Sequence, residues 1–201
     1  MIVIIDYGLG NLSSIKNMFK HIGVKDVIIS SQKDKISKAD KIILPGVGAF
    51  DNGMSHLIKY DFIDILNKKA LVEKVPFLGI CLGMQLMTKK SEEGELSGLG
   101  WFDAETLKFK LGNKYKVPHM GWNYISNNKS SLIVNKDKKY RFYFIHSFYV
   151  KCRSEKDVLF TTDYGISFHS AIQKNNIIGM QFHPEKSLRF GMDVFQNFAN
   201  M

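Results

Sequence analysis

Four short runs of aliphatic, largely β-branched residues, IVIID, VIIS, KIILPG and PFLGI, punctuate the first ninety residues. The stretches between them carry helical spacing, notably Asn11 to His21 and a long amphipathic region from about Ala49 to Glu73. Continuous apolar strands alternating with helices can be buried only in a parallel sheet covered on both faces by its crossover helices. A further helix is expected from about Leu82. Beyond Gly94 the texture changes to aromatic and β-branched runs, RFYFIHSFYV, VLFTT, SFHSAIQ and IIGMQFH, separated by Gly, Asn and Asp turns. These read as mixed or antiparallel strands added to the same sheet, closed by a helix from about Gly191 to Asn200. The fold class is therefore α/β, with a mostly parallel central sheet, helices on both faces and antiparallel strands in the C-terminal half.

The chain has 201 residues without a repeat, a low-complexity segment or a Pro/Gly/Ser-rich linker, so residues 1–201 are expected to form one domain. MIVIIDYG has neither the basic start nor the small-residue cleavage site of a secretory signal, and Asp, Gly and Lys interrupt every apolar run. A soluble cytoplasmic chain is expected. Two cysteines, Cys81 and Cys152, stand outside any CxxC or Cys/His spacing, which argues against a disulfide framework and against a bound metal. The net charge of +9 gathers partly in KFKLGNKYK and NKDKKYR. Lysine outnumbers arginine there and no nucleic-acid motif accompanies it, which favours solvated strand edges and turns over a nucleic-acid footprint.

In open α/β sheets, sites collect at the carboxyl ends of strands, which directs attention to the loops after Ile5, Leu44, Ile80 and Phe182. Gly79-Ile80-Cys81-Leu82-Gly83 has the G-x-nucleophile-x-G form, whose glycines permit a sharp strand-to-helix turn that exposes the central side chain. At a helix amino end the thiolate is favoured. A buried, inert cysteine beside packing glycines is the plain alternative. QFHPEKS offers a base and its orienter, His183 and Glu185, on a segment expected to be extended because Pro184 prevents a helix. LPGVGAF offers the backbone N–H groups of Gly46, Val47 and Gly48 to an anion, and lacks the lysine and hydroxyl of a phosphate loop.

With these three loops in view, the chain resembles the triad-type, class I glutamine amidotransferases, and within them the glutaminase subunits of imidazole glycerol phosphate synthase. The resemblance spans nearly the whole chain and rests on DYGLGN, LPGVGAFDNGM, GICLGMQLM with SEEG, PHMGWN, FIHSFY and QFHPEKS. It implies the three-layer, flavodoxin-like class I glutaminase fold. It implies Cys81 as nucleophile, His183 as base then acid, and Glu185 as orienter. An oxyanion hole would come from Leu82 and the Gly46-Val47-Gly48 loop. Gln85, Glu93, Ser147 and Phe148 match positions that hold glutamine, while Asn11, Met120 and Trp122 match positions facing a partner. That partner is a (β/α)8-barrel cyclase subunit of histidine biosynthesis, joined as a heterodimer, and no cofactor is implied. His21, His56 and His169 are expected to be structural or surface residues, with His119 and His146 set apart because their segments match the family. Leu188, Phe148, Trp101 and Phe102 depart from its usual residues. A paralogous subunit feeding a sugar-aminating barrel, a thiol hydrolase or peptidase, and a basic binding module are the competing readings.

Overall fold

All four residues of β1 (Ile2–Ile5) are buried, and alternate side chains enter different cores. Ile2 and Ile4 join one apolar cluster and Val3 and Ile5 the other, as the two-residue period of a strand covered on both faces requires. In the computed structural model, which describes residues 1–135 and 137–201, α1 (Leu12–His21) buries Ile15 and Phe19 in the first of these clusters. Lys136, in the basic run NKDKKYR, lies outside the described residues. After β2 (Val27–Ser30) comes a short helix that the pattern did not signal, α2 (Lys33–Ser37), followed by β3 (Lys41–Leu44). The expected amphipathic region is broken into α3 (Phe50–Lys59) and α4 (Ile63–Asn67) by Asp61, which takes φ +53°. These helices bury Ile36, Phe50, Met54, Leu57 and Leu66 in the second cluster, on the opposite face from α1. β4 (Phe77–Ile80) and α5 (Leu82–Leu86) complete this half. β1 pairs in parallel with β2 and β3, and β3 with β4.

The second half adds β5 (Lys90–Ser91), β6 (Ala104–Lys108), β7 (His119–Tyr124), β8 (Ser126–Asn127), β9 (Arg141–His146), β10 (Phe148–Cys152), β11 (Val158–Asp163), β12 (Ser167–Lys174) and β13 (Ile177–Met180). The final helix α6 (Leu188–Asn200) begins three residues before the expected Gly191 and packs on the face of α1, where Phe19 meets Phe195 at 4.9 Å. The main sheet runs β2-β1-β3-β4-β13-β12-β10-β6-β5, with β11 paired to β12 and to β8. One expectation needs correction. The run RFYFIHSFYV is not one strand of one sheet: it divides at Ser147, β10 entering the main sheet while β9 pairs with β7 in a separate two-stranded ribbon. IIGM, expected as a mixed or antiparallel strand of the same sheet, is mixed: β13 lies in parallel beside β4 in the middle of the sheet and is joined on its other side to antiparallel β12. No helix among the described residues is long and apolar enough to cross a membrane.

The three neighbours β3, β4 and β13 run in the same direction, with Leu44 opposite Gly79 and Ile80 opposite Met180. Whatever follows each strand must therefore emerge side by side at one edge of the sheet. The elbow is packed hard against that edge, since a Cβ on Gly83 would lie 1.9 Å from the Leu44 carbonyl oxygen. Gly83→Ala should cost about 1–3 kcal/mol or more, because the obstacle is backbone and cannot rotate away. Gly112, which has nothing within 4 Å, supplies the control. A lowered denaturation midpoint for Gly83→Ala beside an unchanged one for Gly112→Ala is the expected outcome.

Candidate active site

Cys81 follows β4 directly and takes φ +54°, ψ −109°, a conformation that a residue with a Cβ holds only under constraint. The constraint is steric and hydrogen-bonded. A Cβ on Gly79 would meet the Met87 Cε at 2.5 Å and Gly83 backbone at 2.8 Å, so the strand and α5 close on each other with no room for side chains. Cys81 N–H donates to the Met180 carbonyl at 2.7 Å, tying the turn to β13. The helix it opens has only five residues, so a long macrodipole does not act on the thiol. What remains for an anion is the set of first-turn N–H groups, beginning at Leu82, that no helix can satisfy internally.

His183 lies three residues past the end of β13. Pro184 does not keep this segment extended, as expected from the sequence, but opens a single 3₁₀ turn, Pro184–Lys186, a position that suits its fixed φ and missing N–H. The turn still joins the pair: His183 Nδ1 and Glu185 Oε1 are 2.8 Å apart, with both side chains 2% exposed. β9 clamps the turn from outside. His183 N–H donates to the Tyr143 carbonyl at 2.9 Å, and Ser187 Oγ accepts from Tyr143 N–H at 3.0 Å while donating to the His183 carbonyl at 2.6 Å. Because Nδ1 is engaged by the carboxylate, Nε2 is the nitrogen left for a reacting group, and it is buried without a hydrogen-bond partner among the described residues. Burial alone would lower the imidazole's pKa. Attraction to Cys81 and to the hydrogen-bonded Glu185 carboxylate outweighs it, raising His183 from 6.5 to about 10. The favoured state is thus an imidazolium between a sulfur and a carboxylate.

A cavity of about 470 Å³ opens over these groups. Cys81, Leu82, His183, Val47, Gly48, Gln85, Glu93, Ser147 and Phe148 all line it, so residues from across the sequence meet at one surface. Gly46 sits beneath, where a Cβ would strike the Tyr7 hydroxyl at 2.7 Å and Leu82 Cβ at 2.8 Å; Gly48 adopts φ +98°. Gln85 is buried, donating to the Phe148 carbonyl at 3.3 Å and to Gln181 Oε1 at 3.0 Å. Glu93 Oε2 accepts the Phe50 N–H at 2.9 Å, capping α3 from the far side of the cavity. Asn11, Met120 and Trp122 are not in the cavity lining. Asn11 precedes α1, and Met120 and Trp122 stand 57% and 42% exposed on β7, in line with Tyr124, which sequence reasoning missed. Also missed were the lining residues Pro118, Ile145 and Lys186, and Gln181, whose Nε2 reaches Cys81 Sγ at 3.7 Å; His146, which the sequence had set apart, lines the cavity too. Gln181 was discoverable, because it follows β13 at the same offset that Cys81 follows β4. Trp101 is core: its indole N–H donates to Asn67 Oδ1 at 2.7 Å.

The sequence pattern of the family Glutamine amidotransferase class-I matches residues 3–201. The chain is 57% identical over 199 residues to the imidazole glycerol phosphate synthase subunit HisH 2 of Methanococcus maripaludis, covering 98% of each. It is 44% identical over 202 residues to HisH 2 of Pseudomonas aeruginosa and 40% over 205 residues to HisH of Leptospira borgpetersenii, in both cases covering 100% of each chain. Among solved structures, a glutamine amidotransferase superposes with a TM-score of 0.77 at 17% identity, covering 100% of this chain and 98% of the other. The structure of PurLQS from Thermotoga maritima superposes with a TM-score of 0.73 at 19% identity, covering 99% and 97%. These last two likenesses establish the fold.

The His183 environment has a consequence for stability. A group whose pKa is raised on folding stabilises the native state fully below its ordinary value, here 6.5, and that contribution disappears as pH climbs through about 10. The denaturation midpoint should fall more steeply between those limits for the native sequence than for His183→Gln. Parallel pH profiles would contradict the assigned imidazolium.

Proposed function

The chain belongs to the class I glutamine amidotransferase family, among the imidazole glycerol phosphate synthase HisH subunits, and from that premise we propose that Cys81, His183 and Glu185 hydrolyse the side-chain amide of L-glutamine. The observation that carries the assignment is the convergence of three adjacent parallel strands, β3, β4 and β13, whose following segments supply glycine N–H groups, a thiol and an imidazole to one cavity.

In this reading the Cys81 sulfur, paired with the His183 imidazolium, attacks the amide carbon of glutamine. The negative charge that develops on the oxygen is met by the N–H of Leu82 and by those of the Gly46-Val47-Gly48 loop. His183 then gives its Nε2 proton to the departing nitrogen, the C–N bond breaks, and ammonia leaves a γ-glutamyl thioester. A water molecule, losing a proton to the same nitrogen, adds to the thioester and releases glutamate and the thiol. Glu185 holds Nδ1 and orients the ring towards the sulfur. Gln85, Glu93, Ser147 and Phe148 form the proposed glutamine pocket.

Ammonia released into water would be protonated and diluted, so the product requires a direct recipient. We assign that role to a (β/α)8-barrel cyclase subunit docked as a heterodimer through Asn11, Met120 and Trp122. The exposed apolar side chains of Met120, Trp122 and Tyr124 support docking at β7, since such side chains in line mark contact surfaces. The cyclase would use the ammonia to convert the phosphoribulosyl-formimino-aminoimidazole-carboxamide ribonucleotide to imidazole glycerol phosphate and aminoimidazole carboxamide ribonucleotide, in the cytoplasm. The sugar-aminating alternative is not favoured, because the full-length relatives above carry the imidazole glycerol phosphate synthase name.

Glutamine hydrolysis should be measured on the chain alone, with the cyclase, and with the cyclase plus its ribonucleotide. Strong stimulation by the last combination is expected, and Cys81→Ala should reduce turnover by roughly 10⁴-fold or more, since triad members act as a unit. Thiol-dependent hydrolysis indifferent to the cyclase would remove the partner assignment. Activity that survives Cys81→Ala would remove the nucleophile.

A further inference from the structure

Two buried histidines that the proposed reaction does not use stand in and behind the cavity wall. His119, first residue of β7, and His146, last of β9, are register partners across the two-stranded ribbon. His119 Nδ1 lies 3.0 Å from His146 Nε2, and His146 Nδ1 lies 2.7 Å from the Phe148 carbonyl oxygen. A carbonyl can only accept, so His146 Nδ1 carries the hydrogen, and in a neutral ring its Nε2 must then accept. His119 Nδ1 is therefore the donor, and its own Nε2 faces the Asn123 amide nitrogen at 3.4 Å, which also donates to the Asp163 carbonyl at 2.9 Å. Each hydrogen in the chain has one permitted position. Both rings are neutral around pH 7, because burial lowers His146 to about 3 and His119 to about 4.

The chain of bonds ends where glutamine is proposed to lie. The Phe148 carbonyl that receives the His146 hydrogen also receives one from Gln85, which bonds Gln181, which in turn reaches the Cys81 sulfur. Ile145, His146, Ser147 and Phe148 form a continuous part of the cavity wall at the corner where the polypeptide passes from the ribbon to the main sheet. We propose that His119 is a positioning residue for glutamine binding: acting through His146, it pins the Phe148 carbonyl and with it this corner of the pocket. Without the His119 donor, His146 Nε2 is left a buried acceptor with no partner and the ring is held only through Nδ1, so the Phe148 carbonyl and the corner it belongs to lose their anchor to the ribbon. His119 bonds to His146 and Asn123 rather than to Cys81, His183 or Glu185, so the effect is expected in binding more than in chemistry. The inference deepens the glutaminase reading and rests on it.

The test is steady-state hydrolysis of L-glutamine by the assembled complex with the cyclase subunit. His119→Phe keeps a ring stacked with Phe144 and Tyr164, 4.9 and 4.0 Å from the histidine centroid, and removes the donor. His119→Asn returns an amide N–H at the position of Nδ1. KM for glutamine should rise roughly ten-fold in His119→Phe with kcat nearly unchanged, as expected for an unsatisfied buried acceptor felt only in binding. It should recover towards the native value in His119→Asn. An unchanged KM in His119→Phe overturns the inference, as does a loss of kcat at constant KM or a raised KM that His119→Asn fails to relieve. A native complex that does not hydrolyse glutamine overturns the glutaminase reading and this inference together, an outcome separate from the other three.

Discussion

A backbone held at φ +54° with a Cβ attached costs on the order of 1–3 kcal/mol relative to an ordinary strand or helix conformation, and Cys81 bears that cost at the centre of the sheet. It persists because the alternatives are blocked. Gly79 and Gly83 bring β4, α5 and the Leu44 carbonyl into contact at distances no other residue tolerates, and the Cys81 N–H is bonded to β13. The rest of the site follows from this one turn. Once the thiol is fixed between β3 and β13, the residues that leave those strands fall beside it, and the glycine loop, the sulfur and His183 share a cavity without any long-range arm or moving domain. Stability and geometry are spent on the same few residues.

The second organising fact is the corner at Ser147. The chain leaves a two-stranded ribbon at His146 and enters the main sheet at Phe148, so the cavity wall is built where two sheets meet. β7, the outer strand of that ribbon, alternates as strands must. Met120, Trp122 and Tyr124 face solvent while His119 and Asn123 face inward. One strand thus presents an apolar face to the exterior and a hydrogen-bonded face to the pocket wall. The neutral histidine pair is a low-dielectric arrangement in which every donor has an acceptor, the condition under which buried polar groups stiffen a structure.

Much of the fold could be read from the residues. The four apolar runs of the first half became β1 to β4 almost to the residue, because a strand buried on both faces has few alternatives and its glycine and proline boundaries are sharp. The α2 helix was not legible, being a single turn of Lys, Asp and Ser with one buried apolar residue, Ile36. The second half misled where periodicity is silent about pairing. RFYFIHSFYV has strand character along its whole length, and only tertiary packing divides it at Ser147. Likewise IIGM gives no local sign that it inserts in parallel at mid-sheet, since order in a sheet depends on connections rather than composition. The three loops of the candidate site were legible because glycine spacing and the sequence His-Pro-Glu carry mechanical meaning. The pairing of His119 with His146 was not, because it exists only in the ribbon register.

The central claim is that Cys81 forms a covalent bond to glutamine, and mass spectrometry tests it most directly. The assembled complex would be mixed with L-glutamine, quenched in acid within the turnover time, digested and sequenced by fragmentation. The account predicts a γ-glutamyl adduct on the peptide containing Cys81, absent from Cys81→Ala and not found on Cys152. Glutamate formation with no adduct at Cys81, or with the adduct elsewhere, would contradict it.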